Sequence, residues 1–166
     1  MAENGSAERE FVVRSTQEND VKFVRLWFTD ILGSLKGVAV TVDELENALT
    51  RGMSFDGASI EGFARSNESD MYAMPDPSTF SILPWRPRTN AVARMFCDIV
   101  TPDGCPFEGD PRAVLRRNLE RAAKMGFTYY VAPEIEFFYF KDETGPTLLD
   151  NAGYFDINPV DVGDDI

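Results

Sequence analysis

Two glutamates stand two positions apart in the stretch APEIEFFYF, residues 132–140. On a β-strand, residues two apart point to the same face, so Glu134 and Glu136 would lie about 6.6 Å apart at a rise of about 3.3 Å per residue. This spacing suits one ligand to each of two hard cations. The alternative is an edge strand whose glutamates face water, which Pro133 would also permit.

A further acidic residue, Asp56, lies in the stretch SFDGASIEGF, residues 54–63. An Asp followed by Gly is typical of a turn in which the carboxylate accepts backbone N–H groups and the glycine takes a positive φ. Loops are also where binding and catalytic residues collect. The stretch alone therefore leaves a structural turn and a functional residue as open interpretations.

The composition restricts the chemistry that these carboxylates could perform. The chain has no His, the commonest general base and a common ligand of transition metals. Carboxylates favour Mg²⁺ or Mn²⁺ over zinc or copper. Cys97 and Cys105 have no His or further Cys near them, so the sequence predicts neither a zinc site nor a disulfide framework.

Charge and hydropathy exclude several classes of protein. With 16 Lys and Arg against 28 Asp and Glu, the 166-residue chain has a net charge of −12, which repels nucleic acid and anionic membranes. The sequence shows neither a signal-peptide pattern at its start nor a run of eighteen apolar residues. We expect a cytoplasmic protein with no nucleic-acid or membrane partner.

The first hundred residues predict a small mixed sheet with a helix across one face. Ser6–Glu18 predicts an N-terminal helix, and the Thr41–Glu44 capping box predicts a short helix that ends at Gly52. Leu45, Ala48 and Leu49 would form its buried face. The Asp56 stretch is predicted as a loop, and two short strands are predicted within residues 70–85. The main predicted strands are Val21–Phe28 and Leu35–Val42, which form a hairpin, and Ala91–Val100.

The polar stretch TPDGCPFEGDP, residues 101–111, predicts a domain boundary. Asp110 and Pro111 then predict the start of a helix that ends at Gly126, with a buried stripe of Leu115, Leu119 and Ala122. Residues 127–140 predict a long aromatic strand, and beyond it we expect no element that would complete a second domain.

Five stretches, taken in order, resemble the N-terminal part of bacterial type I glutamine synthetase: RLWFTDILGSLKGVAV, SFDGASIEGFARSNESDMYAMPD, FCDIVTPDGCPFEGDPR, APEIEFFYF and NAGYFD. The resemblance covers nearly all of residues 21–166. It implies an α+β fold, with an N-terminal β-grasp domain followed by the first, incomplete part of a catalytic α/β domain. The expected divisions are a helical arm at 1–20, the β-grasp domain at 21–105 and the start of the catalytic domain at 106–166.

The resemblance implies an ATP-dependent ligase that condenses glutamate and ammonia through γ-glutamyl phosphate. PEIEFF is similar to the family's metal-binding motif, which makes Glu134 and Glu136 ligands to two Mg²⁺ or Mn²⁺ ions. Asp56 matches the residue that binds ammonium and takes its proton, and Ser59 matches a serine that accepts a hydrogen bond from the same ion. Arg65 resembles an arginine with which some members sense glutamine.

The resemblance also implies a homo-oligomer of two stacked six-membered rings, in which the Asp56 loop reaches a neighbour's active site. Ala58 replaces the usual first serine of that loop, and NAGYFD replaces a more usual Gly-Gly before Tyr154. The remaining metal ligands and the nucleotide pocket would lie beyond residue 166. Two alternatives remain open: a related ligase that joins glutamate to another amine, and a non-catalytic β-grasp module for interaction or regulation.

Overall fold

The computed structural model describes residues 2–60, 70–149 and 151. The chain divides into two compact units, Met1–Thr128 and Tyr129–Ile166. Every helix and named strand of the described residues lies in the first unit. These elements are α1 (Ala2–Glu18), β1 (Val21–Thr29), β2 (Leu35–Thr41), α2 (Leu45–Arg51), β3 (Met53–Asp56), β4 (Asp70–Pro75), β5 (Ser81–Ile82), β6 (Ala91–Val100) and α3 (Pro111–Lys124).

The strands form one mixed sheet in the order β2-β1-β6-β4-β3, with the short β5 paired to β6. β1 runs parallel to β6, and the other neighbouring pairs are antiparallel. The predicted mixed sheet is confirmed, and β3 forms one of its edges. Among the described residues, no helix combines the length and the apolar character needed to cross a bilayer.

The hairpin between β1 and β2 is confirmed and is fixed by a buried aspartate. Asp30 is 3% exposed, and its Oδ1 accepts hydrogen bonds from the N–H groups of Leu32 and Ser34, at 3.0 and 2.9 Å. Gly33 takes the positive φ of 81° that closes the turn. The carboxylate thus satisfies two backbone donors that a tight turn would otherwise leave without partners.

The core lies between one face of the sheet and the two helices α1 and α2. Alternate residues of β6 are buried from Ala91 to Ile99, as expected for a strand with one covered face. Leu45, Ala48 and Leu49 of α2 are buried against the same core, as predicted. Val12 of α1 completes it at 0% exposure.

The ends of α2 differ in part from the prediction. The side chain of Thr41 makes no capping hydrogen bond, and the chain enters α2 through a 3₁₀ turn at Val42–Glu44, so the predicted capping box is wrong. Gly52 does end the helix, with a φ of 74°. A Cβ at Gly52 would lie 3.0 Å from the carbonyl oxygen of Ala73, so β4 also leaves little space for a side chain here.

The predicted buried stripe of α3 is wrong. Leu115 is 58% exposed, Leu119 is 43% exposed, and Ala122 is half-buried. The helix itself begins at Pro111 after the Asp110 cap, as predicted. Apolar spacing predicted a covered face, but no described element covers it.

The predicted aromatic strand at residues 127–140 is also wrong for the described chain. These residues form no named strand, and the one bridge among them joins Phe140 to Leu148. A strand exists only through hydrogen bonds to a neighbouring strand. Tyr130 and Ile135 are 88% and 79% exposed, because no described strand pairs with this part of the segment.

Candidate functional site

Asp56 is the last residue of the edge strand β3, so the predicted loop begins at Gly57, three residues later than the sequence suggested. Ser54 and Asp56 are exposed, while Phe55 between them is half-buried and packs against the core. The alternation of a strand therefore directs Asp56 away from the core. A 3₁₀ turn over Gly57–Ser59 follows it directly.

The carboxylate of Asp56 organises that turn. Its Oδ1 accepts the N–H of Ala58 at 2.9 Å, and its Oδ2 accepts the hydroxyl of Ser59 at 3.1 Å. The predicted turn is therefore present, and the structure brings Asp56 and Ser59 into direct contact. A carboxylate has about four acceptor positions, so these two bonds leave acceptor capacity facing solvent. Asp56 can therefore cap its own turn and bind a cation at the same time.

A second carboxylate, which was not predicted from the sequence, lies directly opposite Asp56 on the neighbouring strand. Asp70 begins β4 and is paired directly with Asp56 in the β3–β4 register, and both residues are exposed. Directly opposite side chains on antiparallel strands have Cβ atoms about 4.5–5.5 Å apart, and like charges there repel. A cation bound at this edge would relieve that repulsion. The register of two strands separated by residues 57–69 could not be read from the sequence.

Glu134 and Glu136 lie in the second unit, in the segment that forms no strand, and both are exposed. Carboxylate oxygens are the donors that Mg²⁺ and Mn²⁺ prefer, so the two residues fit such ions chemically. Hard cations take about six ligands, however. Within the described part of the chain, no group of three or more acidic, His or Cys residues could hold a metal ion. Arg65 lies outside the described residues.

Two parts of the chain match known protein families. Residues 20–102 match the family described as glutamine synthetase, beta-Grasp domain, and residues 108–166 match that described as glutamine synthetase, catalytic domain. The first match contains Asp56, Ser59 and Asp70. The second contains Glu134 and Glu136.

Individual relatives give the same result. The chain is 57% identical over 155 residues to the glutamine synthetase of Mycobacterium tuberculosis strain H37Rv, covering 90% of the chain and 35% of the relative. It is 52% identical over 162 residues to that of Methanosarcina mazei, covering 95% of the chain and 36% of the relative. The chain thus spans about a third of the length of these relatives.

Solved structures show a similar fold. A Plasmodium falciparum glutamine synthetase determined by cryo-electron microscopy superposes with a TM-score of 0.64 at 26% identity, covering 74% of this chain and 23% of that one. A structure described as a GmaS/ADP complex gives a TM-score of 0.63 at 27% identity, covering 69% of this chain and 26% of that one. Together with the sequence matches, these similarities show that the chain belongs to the glutamine synthetase family.

Proposed function

We propose that this chain carries part of the active site of an ATP-dependent ligase that joins ammonia to glutamate through γ-glutamyl phosphate. The observation that carries the proposal is the Asp56–Ser59 contact at an exposed sheet edge, within a chain that matches both domains of the family. We use the term complete enzyme for this chain joined to the further catalytic-domain sequence that its relatives carry.

Asp56 binds ammonium and accepts its proton. Ammonium is a cation with four donors, and the exposed carboxylate of Asp56 offers both charge and free acceptor positions. The Ser59 oxygen, 3.1 Å from the Asp56 Oδ2, can accept a further donor from the same ion. Loss of a proton to Asp56 leaves neutral ammonia, the nucleophile that displaces phosphate.

Asp70 strengthens the electrostatic preference of this edge for a cation. Its pairing opposite Asp56 places a second negative charge beside the ion. Two adjacent carboxylates favour ammonium over neutral amines of similar size, because the attraction depends on the charge. The paired charges therefore suit the protonated form of the amine substrate.

Glu134 and Glu136 would each hold one divalent metal, Mg²⁺ or Mn²⁺. When bound, such ions offset the charge that develops on a phosphoryl group during its transfer from ATP. One carboxylate per metal is too few for a hard cation. The complete enzyme must therefore supply the remaining ligands and the nucleotide pocket.

The complete enzyme works in the cytoplasm as a homo-oligomer of two stacked six-membered rings, and the Asp56 edge of one subunit contributes to the site of its neighbour. The exposed position of Asp56 on an edge strand supports this arrangement, because the residue is accessible to another subunit. The two free cysteines, Cys97 and Cys105, support a reducing compartment.

The proposal is tested by phosphate release from the purified complete enzyme with ATP, glutamate, ammonium and Mg²⁺. We expect release that requires all four components, and none above background from the 166-residue chain alone. Release that does not depend on ammonium in the complete enzyme would contradict the proposed reaction. Release from the chain alone would show that the two glutamates need no further metal ligands.

A further inference from the structure

A cluster of four charged side chains joins α3 to the outer face of the sheet. Arg112 of α3 forms ion pairs with Asp76, which follows β4, and with Asp98 of β6. The distance from Arg112 Nε to Asp98 Oδ1 is 3.1 Å, and Arg116 completes the cluster at 2.9 Å from Asp98 Oδ2. The side chains of Arg112, Asp76 and Asp98 are only 27%, 20% and 25% exposed.

The partners of Arg112 are themselves held by the fold. The N–H of Asp76 donates to the carbonyl of Phe96 on β6, and the Asp76 Oδ1 accepts the N–H and the hydroxyl of Ser78. Asp98 lies within β6 itself. Because Ser78 holds the Asp76 carboxylate and β6 holds the backbone of Asp98, Arg112 lies between two acidic residues of fixed position, unlike an arginine in a mobile surface ion pair.

A second contact ties the start of α3 to β6. Asp110 is 1% exposed, and its Oδ1 caps the helix by accepting the N–H of Arg112 at 3.0 Å. Its Oδ2 accepts the N–H of Ile99 on β6 at 3.1 Å. The same turn of helix is thus attached to the sheet through a buried carboxylate and through the Arg112 ion pairs.

Apolar packing contributes little to this attachment. No residue of α3 is buried, and a 260 Å³ groove remains between the start of the helix and the ends of β1 and β6. Arg112 also lies in the first turn of α3, where the helix dipole disfavours a cation. The two carboxylates must offset this unfavourable interaction with the dipole. The presence of an arginine at this position is therefore better explained by its contacts with the sheet than by a contribution to helix stability.

The cluster spans the two family matches. Asp76 and Asp98 lie in the β-grasp match, and Arg112 lies in the catalytic-domain match. β4 connects the cluster to the candidate site, because Asp76 follows one end of this strand and Asp70 at the other end pairs with Asp56. We propose that Arg112 is a positioning residue that, through Asp76 and Asp98, fixes the Asp56 edge relative to the helix that opens the catalytic-domain match.

This inference rests on the proposed function, and kinetics of the complete enzyme test it. Arg112→Lys keeps the charge but cannot bridge two carboxylates with a planar fork. We expect the KM for ammonium to rise about tenfold to a hundredfold, as for a displacement of about 1 Å. The KM for ATP and the thermal midpoint should stay close to those of the wild type. Asp76→Asn, which removes one of the two bridged charges, should change the same constants in the same direction.

Arg117→Ala is the matched control, because Arg117 is an exposed neighbour on α3 for which the described part of the chain provides no ion pair. It should leave the ammonium KM unchanged. An unchanged ammonium KM in both Arg112→Lys and Asp76→Asn would overturn the inference. So would an equal rise in every KM together with a lower thermal midpoint, which would indicate a merely structural role. A wild-type enzyme that does not use ammonium would instead refute the proposed function.

Discussion

Strand β6 and the segment at residues 127–140 are both rich in apolar residues but differ in structure. β6 is paired with β1, β4 and β5, whereas the later segment forms no ladder. Ile99 of β6 is 0% exposed, and Ile135 is 79% exposed. Composition sets the tendency to form a strand, but a neighbour with free N–H and C=O groups decides whether the strand forms.

Replacing one isoleucine by alanine in each region should give the largest difference in stability. Ile99→Ala should lower the free energy of unfolding by about 2–5 kcal/mol, because it removes buried methyl groups and leaves a cavity. Ile135→Ala should change it by less than about 0.5 kcal/mol, as for an exposed side chain. Urea unfolding of the 166-residue chain followed by circular dichroism measures both. Equal effects would mean that residues 127–140 are packed in solution.

Two aspartates extend the comparison to turn-forming side chains. Asp110 and Asp142 each accept the N–H of the residue two positions ahead, but Asp110 is buried and Asp142 is exposed. Asp110→Ala should cost about 1 kcal/mol for the lost cap and about 1–3 kcal/mol for the unsatisfied Ile99 N–H. Asp142→Ala should cost less than about 0.5 kcal/mol. Thermal denaturation of the two variants compares them, and a ranking in the opposite order would exclude Asp110 as the attachment between α3 and β6.

The pH dependence of stability should show the effect of Asp30. Burial alone would raise the pKa of Asp30, but hydrogen bonds from the Ser34 and Leu32 N–H groups, together with Lys36, lower it overall. An unfolded Asp has a pKa of about 3.9, so between this value and the lower pKa of the folded state the unfolded chain binds more protons at this position. The stabilisation is therefore present at neutral pH and lost as the pH falls below about 4.

Asp30→Asn tests this smaller effect. Its urea midpoint should lie below the wild-type midpoint at pH 7, and the difference should shrink between pH 5 and pH 3. A difference that stays constant over this range would show that the charge of Asp30 contributes nothing to the hairpin.

Much of the fold could be predicted from sequence patterns within single elements. The strands β1 and β6 and the Leu45, Ala48 and Leu49 face of α2 depend on local sequence patterns, and these predictions are confirmed. The burial of Leu115 and Leu119 and the strand at 127–140 required partners that the described residues do not provide. Periodicity identifies a face that can be buried, but it does not show what covers that face.

Less of the candidate site could be predicted from sequence patterns alone. The spacing of Glu134 and Glu136 indicated a candidate metal site, but the roles of Asp56 and Ser59 were implied only by the family resemblance. The opposition of Asp70 to Asp56 depends on the register between β3 and β4, which is a long-range property of the sheet. The domain boundary near residue 105 and the regulatory role of Arg65 remain predictions.

The role of Asp56 is the central claim, and steady-state kinetics of Asp56→Asn in the complete enzyme with varied ammonium test it most directly. The substitution keeps the size of the side chain but removes the charge that attracts ammonium and the base that accepts its proton. We predict a higher ammonium KM and a turnover lower by about 10²–10⁴, the usual contribution of a general base. Glu136→Gln should instead weaken the dependence on Mg²⁺. Unchanged ammonium KM and turnover in Asp56→Asn would contradict the account and leave Asp56 as a structural cap of its turn.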